Sequence, residues 1–337
     1  MKSPLVLGIT IGDVGGIGPE VALKALHQVR WPVRYRFVLV GSGAVLDGLC
    51  RQSGWPRLRR WTPRDGVPAD PVMLWEPVPC VRLRPHPGCV RADAARAAVA
   101  WIRAATQACL AGTLDAMITA PICKEGLLRA GIDVPGHTEL LADLTRTRHF
   151  AMMLMGGPLR VVLATRHVPL ARVPRVLTAA GIIEAGELAA EAIEWLGLRA
   201  RTLGVCGLNP HAGDGGAIGR EEIQMIGPAV RELRRRGHAV EGPVPADVIF
   251  HQARHGAYGA VVAMYHDQGL GPLKTLAFDT GVNLTLGLPI VRTSPDHGTA
   301  FDIAGKGIAN AASMIAAIRM AARLASRSNP WARPLAS

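Results

Sequence analysis

Short apolar runs alternate along the chain with longer amphipathic segments. This alternation is typical of an α/β protein, in which strands and helices follow one another. Strands are predicted at Leu5–Ile11, Phe37–Val40, Ala116–Thr119, Met152–Met155, Arg160–Ala164, Thr202–Cys206, Val261–Met264 and Val282–Leu288. Helices are predicted to follow Pro19, Asp93, Lys124, Thr138, Thr178, Glu221, Pro245 and Asn310, and Asp93 and Thr178 are predicted to be N-terminal caps. Residues 51–90, rich in Pro, Arg and Trp, are predicted to be irregular with short strands.

The size and composition of the chain predict two lobes with a sizeable core. It has 337 residues, of which 49% are hydrophobic, and this exceeds one average domain. No run of eighteen apolar residues occurs, so no membrane span is expected. The six cysteines form no CxxC pair and no secretory signal is evident, so free thiols in the reducing cytoplasm are expected.

The net charge of +12 raises the question of a nucleic-acid partner. Aromatic residues make up only 4% of the chain and are not interleaved with the basic ones. Either a solvated basic surface or an Arg-rich composition that attracts anionic metabolites is therefore expected, and nucleic acid is not an expected partner.

Several polar clusters directly follow predicted strands, where ligands bind in open α/β sheets. The first cluster, Gly12–Glu20, follows a strand and opens a helix, and Pro19 suits the first helical turn. Its glycine spacing departs from the dinucleotide fingerprint GxGxxG, so the pattern does not favour a Rossmann fold. Backbone N–H groups there could hold an anion, or the segment could be only a tight turn.

A second cluster joins Thr119–Lys124 to Pro135–Glu139. His137 and Thr138 stand at a predicted helix start, where they could donate to a phosphate or a carboxylate. Alternatively, Thr138 is an ordinary N-terminal cap.

Three histidines, His167, His211 and His266, each follow the apolar part of a strand by a few residues. If these imidazoles converge at one sheet edge, they would suit a zinc-like divalent ion with open positions. The alternative is three unrelated loop residues. His251 and His255 lack the intervening Glu of HExxH, and we expect them to be surface residues.

Lys274, Asn283 and Arg292 interrupt an apolar stretch near the C-terminus. Polar groups in such a stretch need partners, and an anionic ligand would supply them. Structural salt bridges, or a backbone hydrogen bond for Asn283, are the alternative.

Six motifs in order make the chain resemble the 4-hydroxythreonine-4-phosphate dehydrogenase family from Ile9 to about Ala322: GIGPE, GHTE, the His167 loop, NPHAGDGG with IGREE, YHDQG, and VNLTLGLPIVRTSPDHGTAFDIAG. The resemblance implies NAD(P)-dependent oxidation of 4-phosphooxy-L-threonine to a β-keto acid. This acid decarboxylates to 3-amino-2-oxopropyl phosphate, a step of pyridoxal 5'-phosphate (vitamin B6) biosynthesis.

The resemblance also implies an architecture: a two-lobed α/β/α sandwich of the isocitrate and isopropylmalate dehydrogenase type, not a Rossmann fold. Residues 1–130 with 300–330 would form the first lobe. Residues 131–299 would form the second lobe, with the metal and substrate residues. The protein would be a homodimer with its shared active site in the cleft at the subunit interface.

The resemblance assigns roles to individual residues. One divalent ion (Zn, Mg or Co) would be bound by His167, His211 and His266, with ligands from both subunits. The phosphorylated substrate would be bound by His137, Thr138, Lys274, Asn283 and Arg292. Asp247 and Asp267 are similar to the family's acidic residues near the metal and are the candidate catalytic groups.

The run His297–Asn310 is similar to the adenosine-binding loop of isopropylmalate and isocitrate dehydrogenases. It implies that NAD or NADP is bound by His297, Gly298, Thr299 and Asp302. Two positions depart from the family pattern, since Val14 stands where proline is usual and Cys123 where Asn or Ser is common.

Three other functions stay open at this point. A paralogue of the family would oxidise 4-phospho-D-threonate or 4-phospho-D-erythronate in sugar-acid catabolism, and a more distant relative would act on cyclic dihydrodiols. A non-catalytic metabolite-binding protein is the alternative from a different class.

Overall fold

The computed structural model describes residues 4–78, 83 and 86–332, and they form two compact units. The first unit contains the described residues up to Thr147 and those from Leu288 onward, and the second is Arg148–Gly287. The strands are β1 Leu5–Thr10, β2 Tyr35–Val40, β3 Arg59–Arg60, β4 Val72–Trp75, β5 Ala116–Thr119, β6 Ala151–Gly156, β7 Leu159–Leu163, β8 Leu203–Cys206, β9 Val240–Val244, β10 Ala260–Ala263, β11 Val282–Leu286 and β12 Arg292–Pro295. The helices are α1 Gly18–His27, α2 Gly43–Ser53, α3 Ala92–Leu110, α4 Lys124–Arg129, α5 His137–Thr145, α6 Val173–Val176, α7 Ala179–Trp195, α8 Gly227–Arg235, α9 Ala246–Arg254, α10 His266–Ala277 and α11 Ala312–Ala325.

The first unit is built on a parallel sheet with the strand order β3-β4-β2-β1-β5-β12. Its central strands contain continuous apolar runs, such as Phe37–Val40 and Ala116–Ile118, and Leu7, Ile9 and Leu39 are fully buried. Such continuous runs are typical of parallel strands that are covered on both faces. Helices α3 and α11 pack against this sheet. Its carboxyl edge therefore carries the polar residues that follow β1, β5 and β12.

The second unit contains the strand order β11-β6-β7-β10-β8-β9. Strand β6 runs antiparallel to both β11 and β7, whereas β7, β10, β8 and β9 pair in parallel. The core includes Leu154, Val161, Val261 and Phe250, and helix α10 packs against β6 and β7.

The α/β prediction is confirmed, and each predicted strand is present to within a few residues. Helix α10 was not predicted, because Gly269, Gly271 and an internal Pro272 obscure its helical pattern. Strands β9 and β12 were also missed, and β9 contains a Gly-Pro pair that is unusual inside a strand. In the region 51–90, β3 and β4 are the short strands, and residues 79–82 and 84–85 lie outside the described part.

One of the two predicted caps is correct. The Thr178 hydroxyl accepts a hydrogen bond from the Gly181 N–H at the start of α7. The Asp93 prediction is wrong, because α3 begins one residue earlier and Arg91 occupies the cap position. The Asp93 carboxylate instead accepts hydrogen bonds from the Arg91 guanidinium and from the Ala94 N–H.

The observed units differ from the predicted lobes in where residues 131–147 and 288–299 belong. Both segments lie in the first unit. Helix α5 packs on α3, and β12 pairs in parallel with β5, so these contacts hold the segments to the first sheet. His137, Thr138 and Arg292 therefore belong to a different unit from the three histidines.

Two further expectations concern the cysteines and the membrane. Among the described cysteines, Cys50, Cys89, Cys109, Cys123 and Cys206 are free thiols, and Cys80 lies outside the described residues. Over residues 4–78, 83 and 86–332, no helix combines the length and apolar character needed to cross a bilayer.

Candidate active site

A buried arginine, the first residue of β12, extends its side chain to the carboxyl end of β5 in the first sheet. Arg292 is 1% exposed, and its Nε and Nη2 donate to the Thr119 Oγ1 at 3.1 and 2.6 Å. Burial lowers the pKa of the guanidinium to about 9, and the charge of Glu139 opposes this shift. Arg292 is therefore a cation at neutral pH in a nearly waterless position, where an anion would interact with it strongly.

His137 begins α5 beside this arginine. Its Nε2 is buried and has no hydrogen-bond partner in the structure. Burial holds the pKa of His137 well below its usual range, and the charge of Arg292 lowers it further, against a hydrogen bond with the backbone of Ala120. A neutral ring with an unsatisfied Nε2 can bind a polar ligand atom.

Thr138 is the second residue of α5 and is 7% exposed. The cap position is held by Gly136, so the alternative prediction that Thr138 is the N-terminal cap is wrong. The helix start, with His137 and Thr138, and the guanidinium of Arg292 thus lie in one region of the first unit, at the carboxyl end of β5.

The glycine-rich turn after β1 contains a buried carboxyl group. Asp13 is fully buried; its Oδ1 accepts from the Gly15 N–H at 2.8 Å, and its Oδ2 has no partner in the structure. Burial raises the pKa of Asp13, the Gly15 N–H opposes this, and the charge of Asp93 adds to the increase. The sequence analysis did not single out Asp13, although an acidic residue inside a buried glycine-rich turn is a signal that could have found it.

We expect Asp13→Asn to stabilise the protein at neutral pH and to have little effect in acid. At pH values below the pKa of Asp13 in the unfolded chain, this carboxyl group is protonated in both the folded and the unfolded state. The raised pKa then has no effect on the free energy of unfolding. As the pH rises from that value through the raised pKa of the folded state, the wild type loses stability, by about 1.4 kcal/mol for each pH unit that separates the two pKa values. Urea unfolding of the wild type and of Asp13→Asn across this pH range would measure the difference between their free energies of unfolding. A difference that does not change with pH would contradict the raised pKa.

The predicted cofactor loop packs against the same turn. The Ile17 N–H donates to the Thr299 carbonyl at 2.9 Å, and the Ala309 N–H donates to the Glu20 carboxylate at 2.9 Å. The His297 Nε2 is buried without a partner. The turn and the loop also line a pocket of about 130 Å³, which is bordered by Val14, Gly16, Pro19, Glu20, Val45, Gly48, Leu49, Gln52, Pro87 and Gly305.

In the second unit, two of the three predicted metal ligands lie close together. The ring centroids of His167 and His266 are 5.5 Å apart. The His266 Nδ1 lies 2.7 Å from the Asp267 Oδ1, so this carboxylate orients the ring and leaves Nε2 available to a ligand. This pairing of a histidine with a carboxylate is the usual outer shell of a metal-binding imidazole.

His211 lies in a left-handed turn after β8. Within one chain, the described residues contain no group of three or more His, Cys, Asp or Glu side chains that could hold a metal ion. The structure therefore brings His167 and His266 together, and the donor type fits a divalent ion. His211 and any contribution of a second subunit stay predictions.

The remaining predicted residues of the second unit are spread over three elements. Lys274 lies on α10, and its Nζ is 5.6 Å from the centre of the Phe278 ring. Asn283 lies on β11, and its Oδ1 is buried without a partner. Asp247 is an exposed residue in the first turn of α9, and the Asp267 side chain is 89% exposed.

His251 on α9 and His255 directly after it, which were predicted to be surface residues, are exposed, with their ring centroids 4.4 Å apart. Arg166 was missed by the sequence analysis. Its guanidinium lies 4.8 Å from the centre of the Phe150 ring, and its Nη1 is buried without a partner. Its position next to His167 is the only signal that the sequence offers.

Comparisons with known proteins agree with the motifs. Residues 35–321 match the family described as "Pyridoxal phosphate biosynthetic protein PdxA". The chain is 44% identical over 334 residues to the 4-hydroxythreonine-4-phosphate dehydrogenase of Caulobacter vibrioides, covering 95% of this chain and 98% of the relative. It is 42% identical over 328 residues to the D-threonate 4-phosphate dehydrogenase of Cupriavidus necator, covering 96% and 98%.

A crystal structure of 4-hydroxythreonine-4-phosphate dehydrogenase from Klebsiella pneumoniae matches with a TM-score of 0.83 at 39% identity, covering 96% of this chain and all of that one. The chain thus has the α/β fold of a dehydrogenase of known structure. It belongs to the PdxA family of pyridoxal phosphate biosynthetic proteins. The resemblance inferred from the six motifs is confirmed.

Proposed function

We propose that this protein is a metal-dependent NAD(P) dehydrogenase that oxidises 4-phosphooxy-L-threonine in pyridoxal 5'-phosphate biosynthesis, with the hydride passing to NAD(P)+ and the hydroxyl proton to a base. The β-keto acid formed loses carbon dioxide to give 3-amino-2-oxopropyl phosphate. Family membership supports the reaction. The observation that supports the substrate class is the buried guanidinium of Arg292, because a desolvated planar cation suits a phosphorylated anion.

The substrate would be held mainly through its charged groups. Arg292 offers a planar guanidinium whose orientation is fixed by Thr119, and this suits a phosphate better than a mobile ammonium. The His137 ring is neutral because its pKa is lowered, and its N–H is used in the hydrogen bond with the backbone of Ala120, so Nε2 would accept from a hydroxyl or ammonium group of the substrate. Thr138, Lys274 and Asn283 would supply further donors, and the Asn283 Oδ1 would accept from the substrate.

A divalent ion held by His167, His211 and His266 would lower the pKa of the substrate hydroxyl, and NAD or NADP bound by His297, Gly298, Thr299 and Asp302 would accept the hydride. Asp267 keeps His266 in the tautomer that exposes Nε2. Asp247 and Asp267 are the candidate catalytic acidic groups near the metal. We further propose a cytoplasmic homodimer in which both subunits contribute to the site.

Oxidation of 4-phospho-D-threonate is the second candidate. The named D-threonate relative is 42% identical to this chain and the 4-hydroxythreonine relative 44%, so the two are matched almost equally well. The substrates differ in the group at C2, where a hydroxyl replaces an amine, and in stereochemistry. A site built to hydrogen-bond one group discriminates strongly against the other, because a buried polar partner is left unsatisfied.

We expect kcat/KM for 4-phosphooxy-L-threonine to exceed that for 4-phospho-D-threonate by at least about a hundredfold. The measurement is NAD(P)H formation with each substrate at matched metal and cofactor concentrations. The opposite preference would move the function to sugar-acid catabolism. No NAD(P)H with 4-phosphooxy-L-threonine, 4-phospho-D-threonate or 4-phospho-D-erythronate would favour a non-catalytic metabolite-binding protein.

A further inference from the structure

The loop after β8 has an unusual backbone. Five consecutive residues, His211 to Gly215, have φ values of 52°, 53°, 83°, 43° and 64°. Three of them are not glycine, and the left-handed conformation is sterically strained for such residues. A conformation of this kind persists only where its surroundings hold it in place. The strained stretch begins at the histidine that the proposed function assigns to the metal.

A single buried carboxylate holds the entry to this turn. Glu222 is 4% exposed, and its Oε1 accepts from the N–H groups of Leu208 and Asn209, both at 2.8 Å. Its Oε2 accepts from the Asn209 Nδ2 at 2.9 Å, and the same Nδ2 donates to the Glu221 Oε2 at 2.7 Å. Glu222 opens a short π-helical segment, Glu222–Ile226, a geometry that is frequent at functional sites.

The turn is packed directly onto this carboxylate. A Cβ added at Gly213 would lie 2.6 Å from the Glu222 Oε2, and one added at Gly207 would lie 2.9 Å from the Ala212 Cα. A Cβ added at Gly219 would meet the Asn209 side chain. Glycine at these positions thus lets the backbone close around Glu222, so the carboxylate is part of the turn's scaffold.

The carboxylate is ionised at neutral pH. Burial raises the pKa of Glu222, but the hydrogen bonds from Asn209 and Leu208 together outweigh it, so the pKa lies below its usual value. A buried carboxylate that is satisfied by N–H donors forms charge-assisted hydrogen bonds, which are about twice as strong as neutral ones.

We propose that Glu222 is a positioning residue that holds the left-handed turn and so fixes the orientation in which His211 is presented to the divalent ion. This inference rests on the proposed function, because His211 is a metal ligand only there. Outer partners that orient a metal ligand typically contribute 10- to 100-fold to metal affinity. Loss of the Glu222 hydrogen bonds should therefore weaken metal binding even in a protein that stays folded.

The test measures Co²⁺ affinity by titration calorimetry without substrate, for the wild type, Glu222→Gln, His211→Ala and the double variant. Glutamine keeps the shape of the side chain but loses one of the two acceptor oxygens. We expect Glu222→Gln to raise the Kd for Co²⁺ about 10- to 100-fold. The double variant should bind no more weakly than His211→Ala, because both changes act on one ligand.

A matched glycine pair keeps the test independent of the stability of Glu222→Gln. Gly213 and Gly215 both have positive φ, but an added Cβ meets Glu222 only at Gly213 and meets nothing within 4 Å at Gly215. Gly213→Ala should therefore weaken Co²⁺ binding at least tenfold more than Gly215→Ala.

Three results would overturn the inference, and they are distinguishable. Glu222 would have a purely structural role if the two glycine variants bound Co²⁺ with equal affinity. The same would follow if folded Glu222→Gln kept the wild-type Kd while His211→Ala bound poorly. An unchanged Kd in His211→Ala would instead reject His211 as a ligand, and the proposed metal set would fail together with the inference.

Discussion

Removal of the divalent ion is expected to abolish turnover. Polarisation of a substrate oxygen by a metal is worth several kcal/mol in the transition state, so kcat should fall by about three orders of magnitude or more. The protein would be stripped with a chelator, and Zn²⁺, Co²⁺, Mg²⁺ or Mn²⁺ added back while NAD(P)H formation is followed. Full activity of the rigorously metal-free protein would reject the metal assignment.

The exposed His251 on α9 provides a matched control for the same prediction. His266→Ala removes a ring that is oriented by Asp267 and lies 5.5 Å from His167, whereas His251→Ala removes an exposed ring outside the predicted set. We expect His266→Ala to lose both Co²⁺ binding and activity, and His251→Ala to keep both. If the two variants behaved alike, the proposed ligands would be wrong.

Replacement of Arg292 by alanine is expected to lower kcat/KM by one to four orders of magnitude. Loss of one charged contact to a buried anion typically costs about 2–5 kcal/mol, and each 1.4 kcal/mol is tenfold. The measurement compares the phosphorylated substrate with its dephosphorylated analogue in wild type and variant. If Arg292 binds the phosphate, the variant should lose most of the preference for the phosphorylated form.

Stability must be measured in the same experiment, because Arg292 is 1% exposed and its removal also leaves a cavity beside Thr119. Arg292→Lys keeps a charge but not the planar fork, so it should recover only part of kcat/KM. Thr119→Val keeps the packing and removes the acceptor that orients the guanidinium. An unchanged substrate preference in folded Arg292→Ala would mean that this arginine does not contact the phosphate.

Local patterns in the sequence were sufficient for much of the fold. The buried strands β1, β5 and β10 consist mainly of apolar residues. Such a run predicts a buried strand without reference to the rest of the chain. The Thr178 cap was also readable, because a cap depends on a hydrogen bond three residues away. Helix α10 could not be predicted from the sequence, because its glycines and Pro272 lower its helix propensity. Packing against β6 and β7 compensates for this low propensity in the folded protein.

The sequence by itself determined which residue types follow each strand, and the order of its motifs determined the family. Only the tertiary structure decided which of these residues meet. Arg292 reaches the hydroxyl of Thr119 across 173 positions of sequence, because β12 pairs in parallel with β5. The buried Asp13 and the carboxylate of Glu222 inside the His211 turn likewise depend on burial and on backbone packing. All of these features depend on contacts between segments that are distant in sequence or on the packing of a tight turn. A local hydrophobic pattern therefore does not predict them.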